Sequence, residues 1–390
     1  MLPYILFGMY LLYLIFRYDI CLKKNNKLRH IYICLLYLFL LVGLRYQFGP
    51  DSYSYEKEFS SLYNPIGTET LYYPQLGRLY PPLWIGLNIF CRTVGDFVLL
   101  QLICSFVFNI CIFYFIKNTT TKVFTALFLF FIYDYLYFST DILRESLAIG
   151  IDLVALIMFF KNKKILSIIL LFIGFSIHIY SIFFIVTMSF LYFGISKKVV
   201  AIGGLFFAFF VNSQINATDF IANYLFLGDP TGYGDGFENI SLLGFAFKSS
   251  VALILIYFLY LNKNNNNDSP FLLITKSNND LKKILYAYFA TVLMRYSIPI
   301  ADRVFNYFEI IYLVVIVEGL YRFVICRGTY HQKVLKLTML IFITYLPFYM
   351  INSGTSDKGV SMYVRYYPYN SIFQKEYIED RIKFYIEDGR

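Results

Sequence analysis

Residues 31–48 read IYICLLYLFLLVGLRYQF, and residues 49–56 continue as GPDSYSYE. At 1.5 Å per residue the first run is long enough, as a helix, to cross most of a bilayer's hydrocarbon core. It ends at Arg45, and the Gly49-Pro50 pair turns the chain into a polar, aromatic segment that carries Asp51 and Glu56. An apolar helix that delivers an arginine and a carboxylate to a surface turn is the unit from which the rest can be read.

The same alternation runs along the whole chain. With 58% hydrophobic and only 15% charged residues in 390, and a mean hydropathy of +0.59, the sequence is too apolar for a soluble globule. Apolar runs at about 2–18, 31–48, 97–116, 123–138, 142–160, 164–176, 179–195, 199–211, 241–261, 282–298, 304–325 and 334–350 predict an all-α polytopic membrane protein of about twelve spans, within a range of ten to thirteen. Residues 2–18 lack a basic leader region and a small-residue cleavage site, so they read as the first span and not as a signal peptide.

Basic links set the orientation. Lys23, Lys24 and Lys27 follow the first span, Lys117 and Lys122 the third, and Lys161, Lys163 and Lys164 the fifth. Every second link is basic, which assigns those links to the cytoplasm and both termini to the outside. The parity holds if residues 164–195 form two helices that meet at Ser176-Ile177-His178, with His178 at or near the outer face. The membrane domain is then 1–350, with outer loops at about 49–96 and 212–240, a cytoplasmic Asn-rich linker at about 262–281, and an outer tail at 351–390. Pro81 to Phe90, about half a membrane long and flanked by Arg78 and Arg92, reads as an amphipathic helix in the interface.

Some functions are excluded by this composition. The net charge of +9 sits mostly in short links, where topology requires it, and no nucleic-acid-binding motif occurs. Cys21, Cys34, Cys91, Cys104, Cys111 and Cys326 have no metal-type spacing and read as small buried hydrophobes, so neither a metal site nor a structural disulfide is expected, and no cofactor is implied.

Arginine runs against the positive-inside trend. Arg45, Arg78, Arg92, Arg144, Arg295, Arg303 and Arg365 all fall on the outer side, whereas the cytoplasmic links are mainly Lys. Arg is the side chain that forks onto phosphate or carboxylate. Spacings of four, seven and eleven place Asp141, Glu145 and Asp152 on one helical face beside Arg144, and Asp152 lies deep enough to need a partner or a wet cavity. His178 is either a buried, hydrogen-bonded histidine or a general base. Arg303 opens the eleventh span, as an end anchor or as a ligand contact. Arg365 lies in an aromatic, basic patch that suits either sugar stacking or an interfacial tail. Arginines, a histidine and carboxylates at the outer mouths of different spans fit a large anionic, lipid-linked substrate whose diphosphate sits at headgroup level.

These residues resemble the EpsG-type exopolysaccharide and O-antigen polymerases, the Wzy-like glycosyltransferases of bacteria. The resemblance rests on Arg45, Gly49, Asp51 and Tyr55 after the second span, Arg144 and Ala148 in the fifth, Phe175, His178 and Ser181 at the junction, Arg303, Tyr307 and Phe308 in the eleventh, and Tyr367-Pro368-Tyr369 in the tail. The family usually shows Gln after the arginine of the fifth span; here it is Glu145. The resemblance implies a GT-C-like, metal-independent transferase in the bacterial cytoplasmic membrane with its active site outside. It would move glycan from an undecaprenyl-diphosphate-linked donor to a lipid-linked repeat-unit acceptor, with a chain-length regulator as a candidate partner. Arg45, Arg144, Glu145, Arg303, Tyr307 and Arg365 would contact substrate, and His178 or Asp51 would act as base. A flippase of the same lipid-linked sugar and a membrane O-acyltransferase are the alternative classes.

Overall fold

The computed structural model describes residues 2–61, 72–73, 78–79, 81–213, 278–294, 301–321, 362–376, 378–381 and 383. The regular structure among these residues is helical apart from a two-residue antiparallel pair, β1 (Tyr72–Tyr73) with β2 (Arg78–Leu79), and one isolated bridge, in keeping with the all-α expectation. The expected spans at 241–261 and 334–350, the outer loop from 214 to 240 and the Asn-rich linker up to 277 lie outside the described residues.

The helices follow the apolar runs. They are α1 (Leu2–Leu14), continued by a π-helical turn at Ile15–Ile20, then α2 (Lys27–Gly43), α3 (Pro50–Ser61), α4 (Pro82–Val94) and α5 (Phe97–Thr119). Next come α6 (Val123–Tyr133), α7 (Tyr135–Thr140), α8 (Leu143–Phe160), α9 (Lys164–Ile177), α10 (Ser181–Tyr192) and α11 (Lys197–Ser213), and finally α12 (Asn278–Met294) and α13 (Ala301–Leu320). Among the described residues α5 is the helix long and apolar enough to cross a membrane by length and composition. Its start is fixed by Asp96, whose carboxylate accepts the Leu99 N–H at 3.2 Å and caps an otherwise orphaned donor. The figure of about twelve spans thus rests on the sequence.

Two local features depart from the sequence reading. The expected span 123–138 breaks at Asp134 into α6 and the short α7. The expected polar loop after Gly49 begins instead as α3. Pro50 occupies the first helical position, where its missing N–H costs nothing, and Asp51 in the first turn faces the positive end of the helix dipole. Residues 164–195 do form two helices, α9 and α10, separated at His178 by an extended backbone (φ −147°, ψ 126°).

The chain divides into two compact units. Unit one comprises residues 1–69, 86–150 and 317–390, and unit two comprises 70–85 and 151–316. In unit one α2 packs along α5 and α1 along α6. The fully buried Tyr135 of α7 locks this packing, donating to the Leu38 carbonyl at 2.8 Å and the Asn109 side-chain oxygen at 3.2 Å. The π turn ends on buried Asp19, which accepts the Thr125 N–H at 2.8 Å and its hydroxyl at 2.9 Å, with the Lys27 ammonium 3.7 Å from the second oxygen. Thr125 also meets the Tyr321 hydroxyl at 2.8 Å. In unit two α11 lies along α12, and α10 packs on both α9 and α12.

Candidate functional site

In unit one, three segments distant in sequence converge: the α2–α3 link, the α7–α8 corner and the C-terminal tail. Gly49 has φ +94°, and a Cβ there would come within 2.5 Å of the Thr140 Cβ and 2.8 Å of an Asp141 carboxylate oxygen, so the link lies flat on the corner only because the residue is glycine. The tail pairs with the link as a single antiparallel bridge, Arg45 opposite Ser371. Tyr46 N–H donates to the Asn370 carbonyl at 3.1 Å, Ile372 N–H to the Leu44 carbonyl at 3.0 Å, and Gly49 N–H to the Arg365 carbonyl at 3.3 Å. The tail is held in shape by Arg381, whose guanidinium donates to the Val364 and Pro368 carbonyls at 2.9 and 2.5 Å.

Asp141 joins the tail to the corner. One carboxylate oxygen accepts the Thr140 hydroxyl at 2.7 Å and the other the Tyr366 phenol at 2.5 Å. Burial, reinforced by the nearby Asp51 carboxylate, raises the Asp141 carboxyl to about 7. Asp51 itself is half-buried on the first turn of α3. Arg144 and Glu145 follow in the first turn of α8, Arg144 half-buried and Glu145 buried, and a carboxylate there is favoured by the helix dipole.

Arg45 departs from expectation. As a residue expected to contact substrate it should be open, but the structure leaves its side chain 0% exposed, with its backbone paired to Ser371 of the tail. Its Nη1 donates to the Val42 carbonyl at 2.8 Å, while Nε and Nη2 find no acceptor among the described residues. An unsatisfied buried guanidinium costs several kcal/mol. Asp141 is close enough for its charge to be felt at Arg45, yet the two form no ion pair among the described residues.

In unit two a second group forms around the α9–α10 corner. The His178 Nδ1 lies 3.0 Å from the Tyr307 hydroxyl on α13, and both side chains are buried. The sequence reading named both residues, and the structure pairs them. Arg303 is half-buried one turn before Tyr307. Asp152 of α8, fully buried, accepts the Ser181 hydroxyl at 2.6 Å.

The named residues thus fall into two sets. Arg45, Asp51, Arg144, Glu145 and Arg365 belong to unit one, and His178, Arg303 and Tyr307 to unit two. The sequence reading missed Tyr366 as the partner of Asp141, and Ser181 as the partner of Asp152. The serine was visible as a hydroxyl three residues past His178, but nothing in the local pattern ties it to a helix that starts nearly forty residues earlier. Among the described residues, no three His, Cys, Asp or Glu side chains are grouped to hold a metal ion.

The described residues are mainly helical, and one of their helices, α5, is long and apolar enough to cross a membrane. Residues 28–371 match the family model described as the EpsG family, and the chain belongs to that family. No curated protein and no solved structure matches it. At the family level this means a membrane protein of exopolysaccharide biosynthesis with a glycosyltransferase-like polymerase role.

Proposed function

We propose that the protein is a polysaccharide polymerase of the outer face of the bacterial cytoplasmic membrane, which transfers glycan from an undecaprenyl-diphosphate-linked donor onto a lipid-linked repeat unit. The observation that carries this reading is Arg45: a fully buried guanidinium with two donor nitrogens that find no acceptor among the described residues is suited to an anion, and a fork of N–H groups matches a phosphate. In this reading the tail paired with the link at Arg45 and Ser371 moves aside to admit that anion. Arg144, Arg303 and Arg365, each half-buried, serve as further contacts to the diphosphate and the donor sugars. Glu145 and Tyr307 are the remaining substrate contacts of this scheme.

In the reaction the acceptor hydroxyl oxygen forms a bond to the anomeric carbon of the donor. The bond from that carbon to the diphosphate oxygen breaks, and the lipid diphosphate leaves with the electron pair. The hydroxyl proton passes to a base. Because the leaving group is already good, the protein's main tasks are to neutralise its charge and to orient the acceptor. His178 is the preferred base. A Nδ1–H donated to Tyr307 fixes the tautomer in which Nε2 is the basic ring nitrogen, the one that takes the proton in this scheme. Asp51 is the second candidate, and no metal enters the scheme.

Arg144→Ala or Arg303→Ala should abolish polymer while single-repeat lipid-linked oligosaccharide persists, read by gel profiles of the glycan from cells that carry each variant. Polymer of normal length in both variants would overturn the assignment.

A further inference from the structure

Asp152 is a deeply placed carboxylate that the proposed reaction does not use. It lies ten residues into α8 and is fully buried. Its two oxygens are in different situations: Oδ2 accepts the Ser181 hydroxyl at 2.6 Å, and Oδ1 has no hydrogen-bond partner among the described residues. Oδ1 instead fills the space where a side chain at residue 174 would begin. A Cβ added to Gly174 would collide with Oδ1, and would lie 3.0 Å from the carboxyl carbon and 3.2 Å from the Ser181 hydroxyl oxygen. The carboxyl group therefore fits into a notch whose two sides are Gly174, on the last turn of α9, and Ser181, on the first turn of α10.

Those two residues bracket His178. The His178 N–H donates to the Gly174 carbonyl at 2.9 Å, and the Ser181 N–H donates to the His178 carbonyl at 3.1 Å. Through these bonds the extended residue that carries the imidazole is tied, four residues back and three residues on, to the two points that Asp152 grips. A half-satisfied buried carboxyl is a costly way to fill a space that Leu or Met would fill more cheaply. What the carboxyl supplies and an apolar side chain cannot is an acceptor aimed at the α10 end of the corner.

We infer that Asp152 is the positioning residue of His178: through Ser181 and Gly174 it sets the α9–α10 corner so that the imidazole meets Tyr307. The inference rests on the proposed role of His178 as base. It also has a readout that survives the loss of that role, namely the state of the His178 ring.

The experiment uses the full chain in lipid nanodiscs, with diethylpyrocarbonate modification of His178 quantified by mass spectrometry across pH, alongside polymerisation kinetics. Asp152→Leu removes the acceptor and is expected to speed His178 modification about tenfold or more, to the level of a Tyr307→Phe reference. It should also lower kcat by about 10- to 100-fold with little change in KM, the scale expected when a reacting group is misplaced by about an ångström. Asp152→Asn keeps an acceptor for Ser181 and should restore both readouts to within about threefold of the parent. Ser181→Ala and Gly174→Ala test the same grip from the other side, should Asp152→Leu fail to accumulate, and should resemble Tyr307→Phe in His178 reactivity. A parental modification profile in Asp152→Leu or Ser181→Ala, or equal damage from Asp152→Asn and Asp152→Leu, overturns the inference. Full activity of His178→Ala would overturn the base assignment alone, leaving the reactivity profile to decide the role of Asp152.

Discussion

Tyr366→Phe removes one atom from the joint between the tail and the α7–α8 corner. The ring would still pack on Phe48, whose centroid is 5.9 Å away, and the backbone would still accept from Tyr4, so the loss is confined to the phenol that donates to Asp141 at 2.5 Å. A hydrogen bond to an ionised group contributes about 1.5–3 kcal/mol, and a neutral one about 0.5–1.5 kcal/mol. Burial holds the Asp141 carboxyl at about 7, so at pH 8.5 the bond is to a carboxylate and at pH 6 largely to an acid. The assay is trypsin cleavage after Arg381, a residue 1% exposed that can be cut only when the tail lifts. When opening is fast relative to cleavage, the rate follows the open population. Tyr366→Phe should then speed cleavage by about 10- to 150-fold at pH 8.5 and by about 2- to 10-fold at pH 6. A rate within twofold of the parent at both pH values would refute the idea that this bond fastens the tail.

Three further outcomes follow from the same packing. Gly49→Ala combines a left-handed backbone with a Cβ driven into Thr140 and Asp141, and should cost about 2–5 kcal/mol, seen as a large fall in melting temperature in detergent; Gly86→Ala, where nothing lies within 4 Å, is the control and should match or exceed the parent. Because the Asp141 carboxyl stands at about 7 in the folded chain and near the ordinary carboxylate value when unfolded, its contribution to stability is complete below about pH 4 and is lost as pH rises through 7; Asp141→Asn should flatten the fall in melting temperature between pH 5 and 8 by up to about 1.4 kcal/mol per pH unit. Thr125→Val takes the hydroxyl from Asp19 and from Tyr321 together and should cost about 1–3 kcal/mol, read by thermal unfolding; an unchanged midpoint would show that the π turn is not held there.

The helix pattern was legible because hydrophobic runs and basic links are local properties of the chain. Partners were not. Spacing in α8 groups Asp141, Glu145 and Asp152 on one face, yet the structure gives Asp141 to a tyrosine 225 residues away and Asp152 to a serine on the next helix but one. Periodicity reports which way a side chain points along its own helix, and says nothing about which segment arrives there. The helix α3 was missed for a different reason. It has no apolar stripe to register, and its only signals are Pro50 at the first position and Asp51 in the first turn, which also read as a turn.

Arg45 brings these two levels together. The sequence reading assigns it to the side away from the basic links, where membrane insertion does not require it. Its burial was not readable there, since that depends on Ser371 and its neighbours pairing with the link from the other end of the chain. The combination changes what the arginine can do. An exposed arginine at a membrane surface binds phosphate weakly, because water competes for both partners and salt screens them. A buried one, whose Nε and Nη2 find no acceptor among the described residues, gains much more from an anion that takes up those donors. If Arg45 binds the anion as proposed, binding is coupled to opening of the tail, and the Tyr366 bond to Asp141 opposes that opening. Weakening the clasp should thus raise the apparent affinity for lipid diphosphate by no more than the factor by which it speeds cleavage after Arg381, since both draw on the same open population. An affinity for undecaprenyl diphosphate that stays constant while Tyr366→Phe cleavage accelerates would separate the anion site from the tail and remove Arg45 from the substrate path.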